Sequence, residues 1–152
     1  MTRIDFYLLP EAEVGARARF ACRLAHKAWQ QSHRVYMHVG DANEAVAMDE
    51  LLWTLPRGSF LPHDIWQPAD AAGTSTPQAP VLIGHGSEPA DCDDVLINLT
   101  GEVPPFFERF QRVAEIVVQE PQVRTAGRTR FRFYRERGYP LHHHDMQRWA
   151  DE

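Results

Sequence analysis

Long hydrophobic runs are missing from this chain: no stretch approaches the roughly 20 apolar residues that a membrane span requires. Cysteine is scarce, with only Cys22 and Cys92 among 152 residues. Two thiols are too few for a disulfide scaffold or a zinc cage and read as buried or incidental. The N-terminus, Met1-Thr2-Arg3-Ile4-Asp5-Phe6, reads as a strand carrying an acid rather than as a secretory signal. Glycine is short where nucleotide chemistry needs it. There is no G-x-x-x-x-G-K-[ST], and Leu9-Pro10-Glu11-Ala12 stands where a G-x-G-x-x-G turn would follow the first strand. Proline and bulky residues there cannot offer the row of close backbone N–H groups a phosphate needs. No Ser, Cys or carboxylate pair comes with a base at recognisable spacing. These absences predict a cytoplasmic protein that is not an enzyme, with no catalytic residues, no cofactor, no metal and no small-molecule substrate.

What is present suits one globular domain. Hydrophobic residues make up 43% and charged residues 24% of the chain, which excludes disordered and fibrous classes. The net charge of −5 hides an asymmetry. Segment 121–138 holds six arginines against one acid, Glu136, a balance of +5 that leaves −10 for the remainder. An acidic body with one basic stripe points to a single anionic partner at a single place, not to wholesale wrapping of nucleic acid.

Periodicity predicts an α/β architecture. Ile4 to Leu9 reads as a buried strand ended by Pro10. Residues 14–32 read as a helix with Ala18, Ala21, Ala25 and Ala28 on one stripe. Residues 35–39 form the next strand. Asp41 and Glu44 cap a helix over 42–55, buried through Ala45, Met48, Leu52 and Leu55, which stops before Pro56-Arg57-Gly58. Segment 59–66 is irregular and 67–80 reads as a loop. Val81-Leu82-Ile83 and residues 95–99 are short buried strands. Pro104-Pro105 is expected to open a third helix running through Glu115, followed by a strand over 116–118. A last helix covers 121–138, ended by Gly138 and Pro140. The expected fold is a largely parallel sheet with helices on both faces, a Rossmann or P-loop-like topology without a nucleotide site. One domain spans 1–141, and 142–152 is a polar tail whose His142-His143-His144 run is not expected to hold a functional metal.

Two surface features stand out from this frame. Trp53 falls about 130° from the centre of its helix's apolar stripe, and Phe60 follows just downstream. Exposed aromatic pairs are common interface anchors, although a local mini-core over 56–66 would also account for them. On the last helix Arg124, Arg128, Arg132 and Arg135 share a sector of about 80°, bordered by Phe131. Four like charges repel, and helix formation does not require them. Such a stripe beside an aromatic wall suits an anionic peptide carrying an apolar group, or a phosphate backbone. The alternative is a direct single-stranded DNA-binding module using this arginine helix, with Phe131 as a stacking platform.

Several blocks together resemble the chi subunit family of bacterial DNA polymerase III. They are Phe6-Tyr7-Leu8-Leu9, Asp49-Glu50-Leu51-Leu52-Trp53 through Ser59-Phe60-Leu61-Pro62-His63, Asp94-Val95-Leu96-Ile97-Asn98-Leu99, and Arg130 through Tyr139. The resemblance runs from residue 3 to about 141. It implies a non-catalytic accessory subunit of the clamp-loader complex that touches DNA only indirectly. It further implies two partners. Trp53 and Phe60, with Leu61 and Pro62 beside them, would receive the psi subunit. Arg124, Arg128, Phe131 and Arg132, with Arg135 on the same sector, would receive the acidic C-terminal tail of single-stranded DNA-binding protein, which ends in Ile-Pro-Phe. Where other members carry Lys or Tyr, this chain has Arg124, Arg132 and Phe131, so charge and ring survive while the phenol hydroxyl does not.

Overall fold

Seven parallel strands form one sheet in the order β3-β4-β2-β5-β6-β1-β7 in the computed structural model, which describes residues 2–55, 60–66, 79–86 and 92–147. In chain order the elements are β1 (Arg3–Leu8), α1 (Gly15–Gln30), β2 (Val35–His38), α2 (Ala42–Leu52), β3 (His63–Ile65), β4 (Val81–Gly84), β5 (Val95–Asn98), β6 (Arg112–Val117), α3 (Pro121–Glu136) and β7 (Leu141–Asp145). Every ladder is parallel. The expected α/β class, with helices on both faces, is the observed one. Among the described residues, no helix is long and apolar enough to cross a membrane.

The period of two along β1 sorts the core into two layers. Ile4 and Phe6 belong to the apolar cluster that α3 covers through Tyr134, with Phe131 and Phe133 packed against it. Tyr7 packs on the other side, against the cluster built from α1 and α2. The small residues Ala16, Ala21, Cys22 and Ala25 let α1 lie close to the sheet, and both cysteines are buried thiols outside any disulfide. Helix α2 starts as its sequence dictates: the Asp41 side chain accepts the Glu44 backbone N–H at 2.9 Å. Helix α3 starts with Pro121 in its first turn, and the Glu120 side chain caps Val123 N at 2.9 Å.

Three expectations are corrected. The helix expected from Pro104 through Glu115 is a single 3₁₀ turn at Phe107–Arg109, after which β6 begins at Arg112. Val113 and Val117 join one apolar cluster, Ala114 and Ile116 the other, and Glu115 between them is buried too, a central-strand pattern that the acid disguises as a helix surface. The irregular segment 59–66 contains the edge strand β3. The polar tail begins with another edge strand, β7, paired to β1 with Asp5 opposite His142 and Tyr7 opposite His144. A polar sequence can pair there because an edge strand needs only one laddered side and little apolar cover. The helix stop at Pro56-Arg57-Gly58, Ser59, most of the 67–80 loop, and residues 148–152 lie outside the described residues.

Candidate functional site

The basic helix is anchored from beneath by a buried polar network. Glu115 on β6 is fully buried and accepts hydrogen bonds from Arg130 Nε at 2.9 Å, Tyr134 Oη at 2.7 Å and Asn98 Nδ2 at 3.0 Å. Arg130 Nη1 also donates to the Gly101 carbonyl at 3.1 Å. Burial, followed by the Glu115 carboxylate, pushes the Tyr134 phenol far above its ordinary value. Arg130 therefore belongs to the core, although its sequence neighbours are surface arginines. With Arg130 and Tyr134 turned toward the sheet, the 3.6-residue period turns Arg124, Arg128, Arg132 and Arg135 outward. All four are exposed, and among the described residues none of them pairs with a carboxylate.

The structure brings part of this stripe to a cleft. Between α3 and the β6-β1-β7 edge lies a cavity of about 310 Å³ lined by Phe6, Leu8, Val117, Gln119, Arg124, Gly127, Arg128, Phe131 and His143. Its floor is apolar: Phe6 meets Phe131 edge-on at 5.3 Å between ring centroids. Gly127 allows the helix to sit this close, since a Cβ there would stand 2.9 Å from Val117 Cγ2. Arg124 and Arg128 add positive charge at the rim. The arrangement can seat an apolar side chain while pairing a carboxylate with a guanidinium. Arg132 and Arg135 lie outside this lining and contribute charge from the flank of the helix. Sequence reasoning missed Gln119 and His143 as lining residues. His143 was recoverable only by recognising β7 as a strand.

The aromatic positions divide differently. Trp53, at the C-cap of α2, is 64% exposed, and Phe60 is 86% exposed. Pro62 is exposed, and Val46 adds apolar surface on α2. Leu61 does not join them: it is buried in the core against the α2 face, because successive residues of this extended segment point to opposite sides. The indole of Trp53 lies 4.6 Å from the buried ring of His63. His63 ties the segment to α2, with Nδ1 at 2.7 Å from the Leu61 carbonyl and Nε2 at 3.2 Å from the Asp49 carbonyl. The aromatic positions therefore stand beside β3 and the cleft beside β7, at opposite edges of the sheet. Six inter-strand spacings separate those edges by about 29 Å.

On the side of the sheet away from the cleft, Asp5 is buried and gathers Arg3 Nη2 at 3.1 Å, His144 Nε2 at 3.0 Å and Arg112 Nε at 3.6 Å. The His144 ring stacks on Tyr7 at 4.8 Å. Among the described residues, no group of three His, Cys, Asp or Glu side chains converges on a point where a metal ion could sit.

The sequence profile of the family described as "DNA polymerase III chi subunit, HolC" matches residues 1–142. The chain is 47% identical over 148 residues to a protein of Pseudomonas aeruginosa named DNA polymerase III subunit chi, covering 97% of this chain and 99% of that one. Proteins of the same name from Escherichia coli and Haemophilus influenzae are 29% and 27% identical. Those alignments cover 93% and 90% of this chain, and 96% and 92% of the relatives. The chain belongs to the DNA polymerase III chi subunit family.

Proposed function

We propose that this chain is a non-catalytic accessory subunit of the replicative DNA polymerase III assembly, acting as a bridge between two protein partners. One is the acidic C-terminal tail of single-stranded DNA-binding protein, seated in the α3 cleft. The other is the psi subunit of the clamp-loader complex, received on the Trp53 and Phe60 surface. The observation that carries the reading is the cleft itself, where two arginines without carboxylate partners among the described residues rim an apolar cavity of about 310 Å³, room enough for an aromatic side chain. A C-terminal phenylalanine presents a ring and a carboxylate together, and that combination matches the pocket. Aspartates upstream on the tail would meet Arg132 and Arg135 at longer range, so binding weakens with salt while the ring contribution persists. The placement of the two surfaces at opposite sheet edges supports simultaneous occupancy.

Calorimetry with an acidic peptide ending in Ile-Pro-Phe, with and without the terminal Phe, tests the cleft. The full peptide is expected to bind, and the truncated one to bind at least tenfold more weakly. Arg128→Ala should raise the dissociation constant about tenfold, in line with a charged hydrogen bond of ~1.5–3 kcal/mol. Equal binding of both peptides would reject the pocket.

A further inference from the structure

The cleft has a second wall that no arginine supplies. His143 projects from β7 into the same cavity that Arg124, Arg128 and Phe131 line from α3, with its ring centroid 6.3 Å from that of Phe131. The strand's alternation dictates this. In the β1–β7 ladder, His143 stands opposite Phe6, whose side chain forms the cleft floor. His142 and His144 stand opposite Asp5 and Tyr7 and turn to the other face. Three consecutive histidines are thus divided between two duties. His144 pairs with the buried carboxylate of Asp5 and stacks on Tyr7, holding the strand in place. His143 is exposed and available to whatever enters the cleft.

From this geometry we infer that His143 is a proton-dependent contact of the cleft, adding a third positive charge to the anionic peptide site when the imidazole is protonated. The inference rests on the cleft being the acidic-peptide site. From α3, Arg124 and Arg128 line the same cavity as His143. From β1 and β6 the lining is uncharged: Phe6, Leu8 and Val117, with Gln119 just beyond. On β7 itself Asp145 lies two residues away on the same face, and its carboxylate accepts from Gln147 Nε2 at 2.6 Å. A bound carboxylate shields the arginines from the imidazole and pairs with the imidazolium. Peptide binding and proton binding at His143 therefore reinforce each other, by the same factor in both directions. Histidine is suited to this because its ordinary pKa, about 6.5, lies in the range where the peptide carboxylates stay ionised.

The experiment is calorimetric titration of the intact protein with the acidic Ile-Pro-Phe peptide at about pH 8 and about pH 5.5, values chosen to bracket the histidine range. Wild-type protein should bind about three- to fivefold more tightly at the lower pH, the size of a partly exposed ion pair. His143→Gln should bind with the same affinity at both pH values, losing the gain. His142→Gln, altered on the opposite face, should keep it. A proton NMR titration of the imidazole signals adds a readout that does not depend on substitution: peptide should raise the pKa of His143 and leave that of His142 in place. A full gain retained by His143→Gln, or an unmoved His143 signal, would overturn the inference while leaving the peptide site intact. Failure of wild-type protein to bind the peptide at either pH would overturn the site and this contact together.

Discussion

Arg130 and Glu115 form an ion pair at 2.9 Å in which the two side chains are 3% and 0% exposed. The pair joins α3 to the centre of the sheet, and Tyr134 completes it by donating to the second carboxylate oxygen. A buried charge left without its partner is far more costly than the intact pair is stabilising. Arg130→Met should therefore lower unfolding free energy by about 3–5 kcal/mol, and Glu115→Gln by a comparable amount, because the amide leaves the Arg130 charge without its counter-ion and accepts through a single oxygen. Chemical denaturation measures both. Arg130→Met should also weaken acidic-peptide binding, since α3 would lose the anchor that aims Arg124 and Arg128. The exposed Arg135→Met, lacking a carboxylate partner, should leave stability within about 0.5 kcal/mol.

Gly127 gives a second prediction at the floor of the cleft. Alanine is the better helix former by about 1 kcal/mol, yet its Cβ would meet the stiff side chain of Val117 at 2.9 Å. Overpacking of this kind costs about 1–3 kcal/mol, so the helix lifts from the sheet instead of gaining stability. Gly127→Ala should lower the melting temperature and weaken peptide binding. In the variant Gly127→Ala/Val117→Ala both should recover, because the obstructing methyl is removed.

The fold class, the capped start of α2 and the outward arginines of α3 were legible in the sequence, since each follows from local periodicity or a short capping pattern. Beyond local periodicity the reading failed for physical reasons. Residues 113–117 needed the knowledge that Glu115 would find Arg130 and Tyr134 on another element, as no window around an acid shows that it will be buried. Strand β7 carries three histidines and owes its pairing to Asp5 and Tyr7, about 140 positions away in the chain. The helix angle of Trp53 is compatible with an exposed anchor or a local mini-core, and the structure exposes the ring, whereas the inward turn of Leu61 depends on the extended path leading into β3. The cleft combined both kinds of information: its arginine rim was visible and its histidine wall was not.

Alkaline pH should loosen the protein in a definite window. Cys22 on α1 faces α2 with its thiol 3.7 Å from Met48 Sδ, and burial pushes its pKa up to about 12. Burial likewise raises Tyr134 and Tyr7, each assisted by a nearby carboxylate. A group whose pKa is raised in the folded state gives stability that is fully present below its unfolded value and lost as pH rises through the folded one. For Cys22 that span runs from an ordinary 9.0 to about 12. Denaturation midpoints should be level up to the lower bound and then fall. Cys22→Ala should remove part of the slope, and thiol-directed reagents should leave Cys22 unmodified in the folded protein at neutral pH.

The aromatic surface separates docking from folding most cleanly through three neighbouring side chains. Trp53 and Phe60 are 64% and 86% exposed, whereas Leu61 is 2% exposed and packs in the core. Removing an exposed ring deletes few internal contacts, so Trp53→Ala and Phe60→Ala should change unfolding free energy by no more than about 0.5 kcal/mol. Removing the buried leucine leaves a cavity under α2 and should cost ~2–5 kcal/mol. The surface reading then requires opposite outcomes in two assays. Trp53→Ala and Phe60→Ala should abolish co-purification of the psi partner while binding the acidic Ile-Pro-Phe peptide as wild type does. Leu61→Ala should lower thermal stability without a selective effect on either ligand at temperatures where it stays folded. If Trp53→Ala instead destabilised the chain as Leu61→Ala does, the indole would be serving as a cover for His63 and not as an anchor for a partner.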